Sequence, residues 1–213
     1  MNRYNLFGRE RICGEFIGKN PELKTLNIGA GEILWIENYL LKNYAGLVSS
    51  DIDKKNLGSK NLAKNKVLLD ATNIPFKDNQ FDQVIILDVL EHIKNHEKTL
   101  NEIKRVLKKH GKLIISVPND TLLSFFNPIR YAQHERHYTI SQITFLLKKN
   151  GFKIEKLFSG GRIWELIDLY THLIIKYSTG KIINLSAFNI LRDKEYKKHS
   201  NNGNEIIILA KKI

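Results

Sequence analysis

Apolar positions along this chain alternate between short unbroken runs and longer stretches of helical spacing. Thr25-Leu26-Asn27-Ile28 is the first run and leads into Gly29-Ala30-Gly31, after which Ile33, Ile36, Leu40 and Leu41 recur at helical spacing. Gly46 to Ser50 reads as a second strand ending at Asp51, and Lys66 to Leu69 as a third ending at Asp70. Asp82 to Leu87 is a fourth, built on Val84-Ile85-Ile86-Leu87. Leu100, Ile103, Val106 and Leu107 mark an amphipathic helix that stops at Gly111, and Leu113 to Val117 forms a fifth strand ended by Pro118. Continuous apolar strands of this kind are buried on both faces, as in a parallel sheet covered by helices. Their alternation with helices predicts a doubly wound α/β fold.

The last third differs. Ile140 to Asn150 predicts a helix closed by Gly151, Phe152 to Leu157 a strand, and Glu205 to Ala210 the final strand. Between the two strands lie residues 159–203, mostly of helical pattern, which a simple hairpin does not require and which read as an insertion. Within it, Glu165, Asp168, His172 and Lys176 share one narrow stripe, while Trp164, Ile167, Tyr170, Leu173 and Ile174 are apolar. A helix so broadly apolar must be covered by protein, a partner subunit or lipid, and it is too short to span a bilayer.

The chain has 213 residues, 42% of them hydrophobic, enough for one core and a single domain over 1–213 with an N-terminal helical segment at 1–22. Lys and Arg number 34 against 22 Asp and Glu, a net charge of +12. That leaves an anionic partner or peripheral contact with a membrane open. The lysines are spread along the chain, with only short runs such as Lys108-Lys109-His110 and Lys197-Lys198-His199, so nucleic acid is not the expected partner. Cys13 is the only cysteine, which excludes an internal disulfide and a Cys-cluster zinc site. The first ten residues lack the apolar core of a signal peptide, so a soluble, cytoplasmic protein is expected.

Three strand ends carry candidate chemistry. Glycines at Gly29 and Gly31 let a backbone turn approach a ligand closely, with free N–H groups at the following helix start. Asp51, 22 residues past Gly29, can accept from both ribose hydroxyls of an adenosine-containing cofactor. Asp70 can accept from an adenine amino group while Ala71 leaves room for the ring. Each alone reads as well as a tight turn, a helix cap near Asp53, or a turn residue. Together they end consecutive strands on the edge where open α/β sheets bind ligands.

With those residues in view, the chain resembles the class I S-adenosylmethionine-dependent methyltransferases, in the small-molecule group that includes ubiquinone-biosynthesis-like enzymes. The resemblance spans about Leu23 to Leu157. It rests on Leu26-Asn27-Ile28-Gly29-Ala30-Gly31, Ser50-Asp51-Ile52, Asp70-Ala71 with Ile74-Pro75-Phe76, Leu90-Glu91-His92, and His137-Tyr138-Thr139 with Asn150-Gly151-Phe152. It implies a Rossmann-like, mostly parallel seven-stranded sheet with the last strand antiparallel and a helical insertion before it. It also implies S-adenosyl-L-methionine as cofactor, with Asn27, Gly29, Ala30 and Gly31 at its methionine part and Asp51 and Ile52 at the ribose. Asp70 and Ala71 then flank the adenine, and Leu87 lines the pocket. Asn27 stands where the family usually has an acidic residue, and Ile33 where it has a third glycine.

Methyl transfer from a sulfonium needs orientation above all, and a base only when the acceptor is a hydroxyl. His92 and His137 are the candidates. His92 reads equally as a loop residue, or, as matching residues do in some relatives, as an aid to the acceptor or a divalent metal. His134 and His137 have no further ligand nearby, so no metal site is expected. Residues 119–139 and 159–203 are expected to form a lid over a small-molecule or lipid-like acceptor. The rival readings are a nicotinamide-dependent oxidoreductase, which would need glycine where Leu34 stands, and a non-catalytic or decayed nucleotide-binding module.

Overall fold

The computed structural model describes residues 6–31, 39–40, 46–58, 61–132, 135–179 and 186–213. Its strands are β1 (Lys24–Ile28), β2 (Gly46–Asp51), β3 (Asn65–Leu68), β4 (Phe81–Leu87), β5 (Leu107–Pro118), β6 (Phe152–Gly160) and β7 (Glu205–Lys212). The described helices are α1 (Gly8–Ile17), α2 (His96–Val106), α3 (Pro128–Ala132), α4 (Ile140–Lys149), α5 (Ile163–Thr179) and α6 (Ser186–Glu195). The seven strands form one sheet in the order β3-β2-β1-β4-β5-β7-β6. The first five are mutually parallel, and β7 runs antiparallel between β5 and β6.

Side-chain alternation along the central strands gives the sheet two apolar faces. Val84 and Ile86 of β4 meet Leu100 and Ile103 of α2 and Ile143 and Leu147 of α4 in one cluster. Ile85, Ile114 and Ile207 face the other way and pack with Ile12, Cys13 and Ile17 of α1 and with Tyr196. Helices on both faces are the doubly wound arrangement expected from the sequence. Thr139 caps α4 by accepting from Gln142 N, while Gln142 reaches back to Thr139 N.

Two expectations are corrected or fall outside the described residues. The helix expected to run to Gly111 ends at Val106, and β5 begins at once at Leu107, five residues earlier than the end of that helix pattern implies. Phe81 pairs with Leu107 before the register shifts, and His110 adopts φ 61, so the lysine-rich run is the strand's irregular start. The helix expected around Ile33 and Ile36, and His134, lie outside the described residues apart from Tyr39 and Leu40, which are helical.

The strand order reverses at β1, with β2 and β3 on one side and β4 on the other. A crevice forms outside the carboxyl ends at such a reversal, and β1, β2 and β4 all point their ends toward it. No described helix is long and apolar enough to cross a membrane.

Candidate active site

The glycine turn sits at that reversal. Gly29 has φ 79 and Gly31 φ 64, the left-handed region that side-chain-bearing residues avoid. Gly29 N and Ala30 N both donate to Ser50 O at 2.9 Å, which folds the turn over the end of β2. A Cβ on Gly29 would lie 2.2 Å from Val89 Cγ2, so only glycine lets the segment after β4 come this close.

Asp51 secures the same turn. Its Oδ2 accepts from Gly31 N at 2.9 Å and its Oδ1 from Asp53 N at 2.8 Å. Asp53, and not Asp51, caps the short 3-10 turn that follows. Ile52 projects beside it, 74% exposed, as an apolar surface at the crevice. Asp70 accepts at Oδ1 from Thr72 N (2.8 Å) and Thr72 Oγ1 (2.9 Å), and those two bonds hold its carboxyl below the usual range. Ala71 is packed into the core with Ile74. Leu87 is half-buried against the second core face.

Asn27, expected at the cofactor's methionine part, is buried near the end of β1, and its carbonyl accepts from Ser50 Oγ at 2.8 Å. The structure joins Gly29, Ala30, Gly31 and Asp51 directly and sets Ile52, Asp70 and Ala71 along the same edge.

The two histidines flank Glu135. His92 Nε2 lies 3.7 Å from Glu135 Oε1, and His137 Nε2 lies 3.8 Å from Glu135 Oε2. Arg136 N donates to Glu91 O, tying this loop to the turn after β4. His137 Nδ1 faces Asn119 O at 3.4 Å, while its Nε2 is sealed from solvent without a hydrogen-bond partner. Among the described residues, no three His, Cys, Asp or Glu side chains are grouped so as to hold a metal ion.

Comparisons with known proteins agree with this geometry. Residues 26–115 match the methyltransferase domain family. An uncharacterised protein of Methanocaldococcus jannaschii is 46% identical over 96 residues, which is 44% of this chain and 40% of that one. The ubiquinone biosynthesis O-methyltransferase of Pelagibacter ubique is 28% identical over 153 residues, 63% of each chain. The chain thus spans under two thirds of either relative's length. Among solved structures, the S-adenosylmethionine-dependent methyltransferase of Mesorhizobium loti shares the fold with a TM-score of 0.68 at 11% identity, covering 95% of this chain and 96% of that one.

Residues 26–115 are a class I methyltransferase domain. The cofactor of this class is S-adenosylmethionine, and a glycine turn that a Cβ would obstruct, tied to a strand-end carboxylate, fits it.

Sequence reasoning missed a second set of groups in the methyltransferase domain and its flanks. Asp88, immediately after β4, has φ 54, accepts from Ser116 Oγ at 2.7 Å and is ion-paired with Arg9 of α1. Glu205 opens β7 with its Oε2 3.9 Å from Arg9. Burial alone would lower the Arg9 guanidinium, yet Asp88 and then Glu205 hold it well above its ordinary value. The same ion pair outweighs burial at Asp88, whose carboxyl is pushed down. Burial, then Asp88, pushes the carboxyls of both Glu91 and Glu205 well up. Polar residues directly bordering the apolar runs of β4 and β7 were the only local sign of this cluster.

Within residues 159–203, α5 and α6 are joined through polar groups. Glu195 receives Arg162 N at 2.7 Å and Trp164 N at 3.1 Å, capping α5 from the end of α6. Asp168 accepts from Arg192 at 2.8 Å and Glu165 from Tyr196, so these two residues of the polar stripe face the end of α6. Gly161, φ 75, makes room for this, because a Cβ there would lie 1.8 Å from Glu165 Oε2. Ile163, Ile174 and Tyr177 are 54%, 67% and 84% exposed, and Tyr170 donates to Phe126 O at 2.6 Å, extending the apolar face onto Phe125 and Phe126.

Proposed function

We propose that the chain is a methyltransferase that moves the methyl group of S-adenosylmethionine to a hydroxyl of an apolar, lipid-like small molecule, with a phenolic quinone precursor as the best-supported class. The observation that carries methyl transfer is the shared turn of Gly29–Gly31 and Asp51 at the strand-order reversal, within the matched domain. The name of the Pelagibacter relative supports an oxygen acceptor in ubiquinone biosynthesis. The outward apolar face of α5 and of Leu122–Phe126 supports a lipid-like one, and these segments serve as its cover.

Bound S-adenosylmethionine supplies a methyl group on a sulfonium, which departs as a neutral thioether and needs no proton. Gly29 and Gly31 bring the turn's backbone against the ligand, and Asp51 fixes that turn. His137 acts on the acceptor. With Nδ1 turned to the Asn119 carbonyl, the ring proton belongs on Nδ1, and Nε2 presents a lone pair in a sealed site. The acceptor's O–H bond breaks toward Nε2 as its oxygen forms the new bond to carbon. Glu135, 3.8 Å from Nε2, stabilises the imidazolium that results. His92 holds the opposite oxygen of Glu135 in place.

Calorimetry with S-adenosylhomocysteine tests cofactor binding, and transfer of labelled methyl to a demethylated phenolic quinone precursor tests turnover. His137→Gln is expected to lower kcat by about 10²-fold, the lower range for a general base, with cofactor affinity unchanged. Wild-type protein that binds neither S-adenosylmethionine nor S-adenosylhomocysteine overturns the methyltransferase reading.

A further inference from the structure

We propose that a cleft at the amino ends of β1, β4 and β5 is a binding site for the diphosphate group of a small molecule, separate from the crevice at the carboxyl ends. The cleft has a volume of 370 Å³, a size typical of small-ligand sites, and lies between the loop after α1 and the start of β5. Lys19, Lys108, Lys109 and Lys112 line it, with His110 among them. Asp82 is the one acid in its described lining, and it is already engaged. Lys108 Nζ donates to its Oδ1 at 2.8 Å, and Lys24 N to its Oδ2 at 2.9 Å. Lys19, Lys109 and Lys112 have no carboxylate partner among the described residues. Their charges stand unopposed around one concave surface, whose low-dielectric walls focus the field on an anion.

The backbone is shaped to place these groups there. From the pair Phe81–Leu107 to the pair Gln83–Lys112, the ladder advances two residues along β4 and five along β5. The surplus falls in the Lys108-Lys109-His110 run, whose side chains are all exposed. His110 takes φ 61, which a side-chain-bearing residue adopts only at a cost. Gly111 closes the bulge tightly, since a Cβ there would lie 2.9 Å from Lys108 O. Bulges re-aim side chains and recur beside functional sites. The charge selects the ligand. Lysines hold phosphates as point charges, and the unopposed lysines of the cleft match a diphosphate ester, which carries about three negative charges at neutral pH. No Phe, Tyr or Trp is in the described lining, so the cleft lacks the stacking platform of a single-strand nucleic-acid site. The glycine turn lies at the other end of β1, about 13 Å along the strand, so the two sites do not overlap.

The test is calorimetry with inorganic pyrophosphate at low ionic strength, with inorganic phosphate as the comparison. Wild type is expected to bind pyrophosphate at least about tenfold more tightly, the effect of two further exposed ion contacts. Lys19→Gln, Lys109→Gln and Lys112→Gln combined should weaken pyrophosphate by about 30-fold on the same scale. Lys98→Gln, Lys148→Gln and Lys194→Gln combined make the same charge change on α2, α4 and α6, outside the cleft, and should cost under about threefold through screened charge alone. Should the cleft triple melt below wild type, Lys109→Gln alone is expected to cost about threefold. ADP and geranyl diphosphate are then set against bound pyrophosphate. Displacement by ADP assigns a soluble nucleotide, and displacement by geranyl diphosphate a lipid-borne head group. Pyrophosphate bound no better than phosphate, equal losses in the two triples, or displacement by neither diphosphate overturns the proposal. So does a single-stranded oligonucleotide that binds more tightly than pyrophosphate through the same three lysines, which makes the cleft a nucleic-acid contact. These readings involve no adenosyl cofactor, so they succeed or fail apart from the function proposed above.

Discussion

Tyr196 donates its hydroxyl to Glu165, 2.8 Å from Oε1 and 2.9 Å from Oε2, and this contact turns the polar edge of α5 inward. Tyr196, the residue after α6, is fully buried in the face that α1 covers, so this bond ties α5 to the core. Tyr196→Phe removes the donor and leaves a buried carboxyl without it. Stability is expected to fall by about 1–3 kcal/mol, the cost of one orphaned buried acceptor, as a lower urea midpoint. A midpoint equal to wild type means α5 is not anchored through this bond.

Glu205 sets a pH dependence. Its folded-state carboxyl is raised well above the unfolded glutamate value of about 4.3, by burial and then by Asp88. Between those two values the native state holds the extra proton, so its contribution to stability is complete below about pH 4 and is lost as pH rises. Glu205→Gln removes this loss. The variant is expected to match wild type near pH 4 and to exceed it at pH 8 in thermal unfolding. Parallel curves for the two proteins would contradict the assignment.

Asp51 has two duties, and its substitution carries two effects. Asp51→Ala frees both Gly31 N and Asp53 N. Affinity for S-adenosylhomocysteine is expected to drop by about 1.5–3 kcal/mol, the range for hydrogen bonds to a charged group. Because the turn itself loses its tie, the melting temperature falls as well. An affinity loss with no thermal change would mean that the carboxylate serves the ligand alone.

The outward face of α5 offers a separable test. Ile174→Lys and Tyr177→Lys alter residues that are already 67% and 84% exposed, so folding and cofactor binding are expected to stay as in wild type. Turnover should fall for a long-chain acceptor and hold for a short-chain analogue. Equal loss on both acceptors rejects a role in receiving the chain.

The parallel core was legible because its strands are unbroken apolar runs, and β4 and β7 were placed within two residues. The glycine turn, Asp51 and Asp70 were legible because strand ends are local features. The start of β5 was not, since Lys108-Lys109-His110 carries no apolar periodicity and its pairing comes from a distant strand. The pair of Arg9 and Asp88 joins residues 79 apart, and no spacing rule links them. The direction of the stripe on α5 was equally hidden: the sequence shows that Glu165 and Asp168 share a face, but the burial of that face depends on Tyr196 and Arg192.

The position of β7 has a consequence for the timing of synthesis. β6 has no neighbour in the sheet except β7, and β7 is the last of the seven strands to be made. From Gly160 to Lys212 a ribosome adds 52 residues, which at about 5–20 residues per second takes roughly 3–10 s. Throughout that interval β5 displays an open apolar edge, and β6 waits without a partner. Nascent chains arrested at residue 200 should therefore be cut by protease within β6, whereas released chains should resist; equal resistance in both would show that β6 finds shelter before β7 exists. The last strand acts as a keystone, and the growing chain depends on shielding until it is set.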